Sequence, residues 1–411
     1  MTRLSRRTLL IATAAAAVAL HGKPASAAER WDVVVIGAGV FGAWTAERLR
    51  AAGQRVLLLD AWGPAHARAS SGGESRMTRT DYGADEIYSR MAWDSLAEWK
   101  QLSASAGLPI FHQTGVLFLF QRAEAYASNS LEVHRRLGLP IEELDRAALM
   151  KRFPQIETGD IAFGLHEPQM GALMARRAVQ TLVDRFVRAG GEYRRARIRP
   201  PRDGANLDAI ETDVGETIRA DRFVFACGPW LPKLFPDVIG GRIFPTRQEI
   251  FFFAPPAGDD RFAPGRLPGW ADFNGGDIYY GFPDLEARGF KIADDRHGPS
   301  IDPESGDRIA SAAGLANVRA YMARRFPALA GAQLVESRVC QYENSANGDL
   351  LIDRHPRWGN VVLVGAGSGH GFKHGPAVGR YAADLALGRL ATPEPRFSLA
   401  SKGLAQDRAV H

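Results

Sequence analysis

The run Val33-Val34-Val35-Ile36-Gly37-Ala38-Gly39-Val40-Phe41-Gly42 limits what this chain can fold into more than any other stretch. Its apolar start reads as a buried strand, and Gly-x-Gly-x-x-Gly turns that strand sharply into a helix over 42–52. A second strand follows, Arg55-Val56-Leu57-Leu58-Leu59-Asp60, so the chain opens as a βαβ unit. Gly37 allows the tight turn, Gly39 lets backbone amides approach a pyrophosphate, and Gly42 lets helix and strand pack. The pyrophosphate sits on the helix N-terminus. Asp60 lies 23 residues past Gly37, in place to accept hydrogen bonds from an adenosine ribose. A glycine motif alone says little. The strand before it, the helix after it and the acid beyond it make a dinucleotide site the reading.

A chain of 411 residues can form two domains with substantial cores. Its formal net charge is +5, but Arg3, Arg6, Arg7 and Lys23 supply four of those charges within an acid-free leader over 1–27. The remainder is close to neutral, which gives no case for nucleic acid or an anionic membrane as partner. The leader has a basic start, an apolar run from Leu9 to Leu20 that is too short to span a bilayer, and a small-residue cleavage site, Ala25-Ser26-Ala27. Ser5-Arg6-Arg7-Thr8-Leu9-Leu10 is similar to a twin-arginine signal; an ordinary secretory leader is the alternative. Twin-arginine export carries proteins already folded, which suits an enzyme that takes up its cofactor in the cytoplasm. The expectation is a periplasmic or secreted protein with no permanent membrane anchor, exported by the twin-arginine machinery.

Further along, apolar residues at helical spacing predict a helix over 172–189 that stops at Gly190-Gly191. Val361-Val362-Leu363-Val364-Gly365 reads as a buried strand and 376–387 as a helix. Residues 115–121, 242–254 and 278–283 are rich in β-branched and aromatic residues, as in a mixed or antiparallel sheet. The fold class is therefore α/β. A discontinuous Rossmann-type nucleotide-binding domain is expected from 28–113, 171–243 and 330–411. A β-rich α+β substrate domain is expected from 114–170 and 244–329. The two cysteines, Cys227 and Cys340, read as unpaired, with Cys227 ending a buried strand. No Cys/His pair has ligand spacing, so no metal site is expected.

Past Asp60 comes Ser70-Ser71-Gly72-Gly73-Glu74-Ser75-Arg76-Met77-Thr78-Arg79. Later segments are Tyr279-Tyr280-Gly281-Phe282-Pro283, Phe290-Lys291, Cys340-Gln341-Tyr342, Ile352-Asp353-Arg354-His355-Pro356 and Gly365 to Lys373 with its glycines Gly367, Gly369 and Gly371. In order and spacing, across nearly the whole chain after the leader, these segments resemble the monomeric sarcosine oxidase group of the D-amino acid oxidase superfamily.

The resemblance implies FAD as cofactor, an amino acid or amine as substrate, dioxygen as second substrate, and a monomer. It implies that Gly37, Gly39, Gly42, Asp60, Ser70 and Arg76 hold the cofactor, that Cys340 is joined by a thioether to the flavin's 8α-methyl, and that the Gly367–Gly371 amides face the flavin pyrimidine. Arg79 and Lys373 match the clamp on a substrate carboxylate, a task suited to paired cations. Lys291 matches the lysine that activates oxygen, where a fixed positive charge stabilises a superoxide-like state. Tyr280 and Tyr342 match active-site aromatic positions. Two residues depart from the pattern. Asp295 stands where the group carries an active-site histidine, with His297 two residues on, and Gly72 stands where it carries a histidine near the flavin.

Duller readings exist beside these. Lys291 also reads as an exposed sheet lysine, Cys340 as an inert core thiol, and His370 as a packing residue of the glycine loop. The expected activity is oxidation of a secondary or cyclic amino acid to an imine with release of hydrogen peroxide. The rivals are a dehydrogenase that passes electrons to a quinone or carrier, and a flavin-loaded protein that only binds an amino acid.

Overall fold

The computed structural model describes residues 30–201, 204, 206–274, 277–390 and 392–406; the leader expected over 1–27 lies outside them. Arg30–Ile36 is the central strand of a sheet that has seven strands among the described residues. It pairs in parallel with Val56–Asp60 on one side and Thr217–Phe225 on the other. Glu192–Arg195 and Val361–Gly365 extend the parallel run, and Leu351–Arg354 and Ala209–Glu211 add antiparallel edges. The pleat explains why the inner strands are apolar throughout. Val33, Val35 and Leu58 pack on one face with the helices Val40–Ala51, Ala175–Arg188 and Gly375–Ala386. Val34, Ile36, Leu57 and Phe225 pack in a second core on the other face.

A second, mixed sheet runs in the order Leu334–Ser345, Ile243–Phe253, Phe290–Asp294, Asp277–Phe282, Gly269–Asn274, Val116–Phe120, Phe163–Glu167, Glu142–Asp145. One face buries Leu117, Phe251, Trp270 and Ile292 against the helix Ala312–Arg325. The other carries Phe118, Ile250, Phe252, Ala293, Tyr280 and Cys340. A small antiparallel sheet of Ser75–Thr78, Gly171–Met174 and Phe111–His112 carries Arg76. Among the described residues no helix is long and apolar enough to cross a membrane.

Three local expectations need correction. Leu334–Ser345, expected with the nucleotide-binding segments (330–411), runs antiparallel to Ile243–Phe253 in the mixed sheet. The helix expected from Ala172 begins at Ala175, because Gly171–Met174 is drawn into the small sheet. Cys227 lies past the strand Thr217–Phe225, where it caps a short turn of helix.

Candidate functional site

The glycine turn is closed by steric necessity. Gly37 has φ +104°, and a Cβ there would stand 2.3 Å from the Ala226 carbonyl oxygen. A Cβ at Gly42 would stand 1.8 Å from the Gly37 carbonyl oxygen, so the helix starts hard against the turn. At Gly39 the nearest atom to a Cβ would be Ser71 Oγ at 3.5 Å, which leaves that backbone open to a cavity of about 420 Å³. Gly37, Asp60, Trp62, Ser70, Cys227 and Glu343 also line this cavity. Asp60 accepts N–H groups from Ala38 (2.7 Å), Trp62 (2.8 Å) and Gly63 (2.7 Å). Three amides thus fix its orientation, and a carboxylate retains acceptor capacity for a ribose. Ser71 Oγ accepts the Val40 N–H at 3.1 Å. The buried Ser70 hydroxyl and Trp230 indole N–H have no hydrogen-bond partner among the described residues. Open backbone at the turn, an oriented acid and unpaired polar atoms fit a dinucleotide.

The second cavity is lined by Arg76, Arg79, Tyr280, Asp295, Cys340, Tyr342, Gly369 and Lys373, with Phe118, Phe273, Ile278 and Phe372 as an apolar wall. Strand alternation brings these residues together. Lys291, Ala293 and Asp295 fall on one face of their segment, and Cys340 and Tyr342 on one face of theirs. The Tyr342 hydroxyl donates to Asp295 Oδ1 at 2.9 Å and lies 3.4 Å from the Tyr280 hydroxyl. Burial pushes the Asp295 carboxyl up to about 7.

The two expected carboxylate-binding cations are built around Tyr82. Lys373 Nζ donates to the Tyr82 hydroxyl (2.8 Å) and the His370 carbonyl (2.7 Å). The Arg79 guanidinium lies 4.0 Å from the centre of the Tyr82 ring and donates to the Asp81 carbonyl. Burial, with Arg79 alongside, holds the Lys373 ammonium well below the usual lysine range. His370 is buried between the Tyr82 hydroxyl (3.2 Å from Nδ1) and the Gly348 carbonyl (2.9 Å from Nε2), and burial, with Lys373 beside it, holds its imidazole well below the usual histidine range. It also lines the cavity of Arg79 and Lys373.

A third cavity, of about 500 Å³, is lined by Lys291, Cys340, Gly73, Arg68, Arg308 and Arg338 among others. Lys291 is 2% exposed and donates to Ser75 O (2.9 Å) and Ser75 Oγ (3.2 Å), which excludes an ordinary surface lysine. Burial, with Arg76 nearby, pulls its ammonium well below the usual range. Lys291 and the Arg79–Lys373 pair therefore line different cavities, and Cys340 lines both. Both cysteines are free thiols. At Gly72 a Cβ would stand 2.0 Å from the His66 carbonyl oxygen, so no histidine fits there.

The loop after Val361–Gly365 holds Ala366, Ser368 and Gly369 at φ +55°, +44° and +76°. Of the three glycines expected to face a flavin, Gly369 lines the cavity of Arg79 and Lys373. The Cα atoms of Gly367 and Gly371 seat the loop on Phe41, whose ring would stand 3.6 and 2.7 Å from a Cβ at the two positions. Sequence reasoning missed Ser71, Ser75, Tyr82 and Glu343. Ser71, Ser75 and Tyr82 lie within or just past the Ser70–Arg79 motif, where neighbours of binding residues were readable as supports. Glu343 follows Tyr342 in a strand, an acid at a position that folds inward. Among the described residues no group of three or more His, Cys, Asp or Glu side chains could hold a metal ion.

The family model described as DAO, FAD dependent oxidoreductase, matches residues 32–385. The chain belongs to this family of FAD-dependent oxidoreductases. The oxidoreductase is 33% identical over 366 residues to a monomeric sarcosine oxidase of Streptomyces avermitilis, a match that covers 87% of this chain and 94% of that one. It is 31% identical over 363 residues to an N-methyl-L-tryptophan oxidase of Salmonella arizonae, covering 87% and 95%. Its fold is similar to an L-proline dehydrogenase from P. horikoshii, with TM-score 0.79, 20% identity, and 90% and 97% of the two chains covered. A glycine oxidase from Bacillus cereus gives TM-score 0.70 at 18% identity, covering 88% and 96%.

Proposed function

We propose that this oxidoreductase is an exported oxidase of a secondary or cyclic amino acid, with its flavin joined to Cys340. The observation that carries the reading is the pair Arg79 and Lys373 in one cavity, with Lys291 in the next and Cys340 at the edge of both. FAD, when bound, supplies the two-electron acceptor for the C–N bond and hands the electrons to dioxygen, giving an imine and hydrogen peroxide.

The chain's own residues do the rest. Arg79 and Lys373 hold the substrate carboxylate, and its arrival favours the charged form of Lys373 that burial alone disfavours. Tyr280, Tyr342 and the Phe118–Phe273–Ile278 wall exclude water around the substrate's apolar part. Lys291 stands ready to carry positive charge where negative charge develops during oxygen reduction, and that charge itself favours the lysine's protonated form. Asp60, Ser70 and the turn around Gly39 hold the nucleotide half.

The test is anaerobic bleaching of the purified protein with N-methyl, cyclic and D-amino acids, followed by admission of oxygen and assay of peroxide. Bleaching with stoichiometric peroxide supports the oxidase. Bleaching that oxygen barely reverses, with ready reduction of dyes, identifies a dehydrogenase, and no bleaching identifies a binding protein. Export is checked separately by mass spectrometry of the periplasmic fraction, where a mature chain starting at Ala28 is expected.

A further inference from the structure

The clamp cavity holds charge of both signs. Arg79 and Lys373 line it together with one acid, Asp295. That acid is fixed: Tyr342 donates to Oδ1 at 2.9 Å, and the Asp295 amide donates to the Ile278 carbonyl at 2.7 Å. Its neighbours in the chain do not compete for the cavity. Asp294 is paired with Arg296 at 2.7 Å and accepts Asn317 at 2.9 Å, and His297 meets Gln406. Nothing in the proposed carboxylate clamp uses Asp295. The third cation of the lining, Arg76, is engaged by Ser70, Ser75 and Cys340. One acid beside the Arg79–Lys373 pair complements an amino-acid zwitterion rather than a simple carboxylate.

We infer that Asp295 receives the ammonium group of the substrate zwitterion and takes one proton from it. This rests on the amino-acid reading above and adds to it the ionic form that is bound and the base that activates it. The step balances. One N–H bond breaks, an O–H bond forms on Asp295, and the ammonium and carboxylate become a neutral amine and a neutral carboxyl. The freed lone pair is what C–N oxidation requires. The proton stays on Asp295 until product leaves.

The surroundings suit a base that cycles between both states. The groups that face Asp295 are the hydroxyls of Tyr342 and Tyr280, the cations Arg79 and Lys373, and the neighbouring Asp294. Burial raises its affinity for a proton, while the Tyr342 hydrogen bond and the two cations limit the rise. A carboxyl at its ordinary value would be too weak a base to hold an ammonium proton even briefly.

The test uses two ligands of one shape on the flavin-loaded protein, 2-aminoisobutyrate and pivalate. They differ by an ammonium against a methyl group, and the first has neither an α-hydrogen nor an N-alkyl group to oxidise. Binding is read by flavin absorbance or calorimetry at pH 8. Wild type is expected to favour 2-aminoisobutyrate by about ten- to hundredfold, the effect of one hydrogen-bonded charge pair. Asp295→Asn should bring the ratio near one while pivalate binding holds or improves. Tyr342→Phe, which frees the carboxylate to swing, should lower the ratio part of the way and serves if Asp295→Asn does not fold. A ratio unchanged by both variants overturns the inference. So does a preference confined to diamino acids such as ornithine, which would assign Asp295 to a side chain. If pivalate binding ignores Arg79→Ala, the carboxylate clamp itself has failed. If pivalate needs Arg79 but the ammonium adds nothing, only the role of Asp295 has failed.

Discussion

The Arg76 guanidinium donates to the sulfur of Cys340 across 3.4 Å and to the carbonyls of Ser70 (2.7 Å) and Ser75 (2.8 Å). One side chain thus ties the loop that borders the nucleotide cavity to the strand that carries the thiol. If Cys340 is the tether, flavin stays with the protein through acid precipitation. Cys340→Ser should release it to the supernatant, and Cys227→Ser, at a thiol bonded to the Ile36 carbonyl, should not. Arg76→Ala should lower the fraction attached without abolishing it. Wild-type flavin recovered wholly in the supernatant rules out the bond.

Removing one of two charge-assisted contacts to a carboxylate costs about 2–4 kcal/mol of transition-state stabilisation, roughly 30- to 1000-fold in kcat/KM. Arg79→Ala and Lys373→Ala should each show this loss with an amino-acid substrate and little with the matching decarboxylated amine. Tyr82→Phe keeps the ring under Arg79 and removes the oxygen that Lys373 donates to, so its loss should be smaller, about tenfold. Steady-state kinetics on the two substrates decides the matter, and equal losses on both count against the clamp.

The sequence exposed much of this because chemistry at such sites is bound to local motifs. Gly37, Gly42 and Asp60 were readable since a tight turn, a close crossing and an oriented acid each permit few residue types. Lys291 and Asp295 were readable as residue types but not as occupants of separate cavities. Their separation comes from strand rise, about 13 Å over four residues, and from the sheet they join. Tyr82 was hidden because a tyrosine gives no sign of which cation it will hold. The packing of Gly367 and Gly371 was hidden for a related reason. A glycine-rich loop looks alike whether its amides face a ligand or its bare Cα atoms accommodate Phe41. The long strand Leu334–Ser345 escaped its sheet assignment because its partner, Ile243–Phe253, is distant in the chain.

Lys291 and Ser75 make the oxygen half-reaction separable. Lys291→Met removes the positive charge, and stopped-flow kinetics should show reoxidation by oxygen slowed roughly a thousandfold, about 4 kcal/mol, with reduction by substrate much less affected. Ser75→Ala removes the hydroxyl that Lys291 donates to but leaves the carbonyl, so a slowing of about threefold is expected. Unchanged reoxidation in Lys291→Met, or a wild type that oxygen scarcely reoxidises, favours the dehydrogenase.

Glu343 lines the nucleotide cavity, and burial pushes its carboxyl up to about 8. Among the described residues its Oε2 has no hydrogen-bond partner, and the backbone amides of Gly367 and Ala366 oppose the rise. The folded protein therefore holds this proton where the unfolded chain, with an ordinary glutamate near 4.3, has released it. Between about pH 5 and pH 8 the native state binds more protons than the unfolded state, so this group makes stability fall as pH rises. Glu343→Gln keeps the shape and removes the titration. Its flavin-loaded form should lose less stability than wild type between pH 5.5 and pH 7.5, by up to about 2–3 kcal/mol. Asp295 titrates in both proteins, so its contribution cancels in the comparison. Denaturant midpoints measured across that range give the difference, and parallel curves for the two proteins would show that Glu343 is ionised in the folded state.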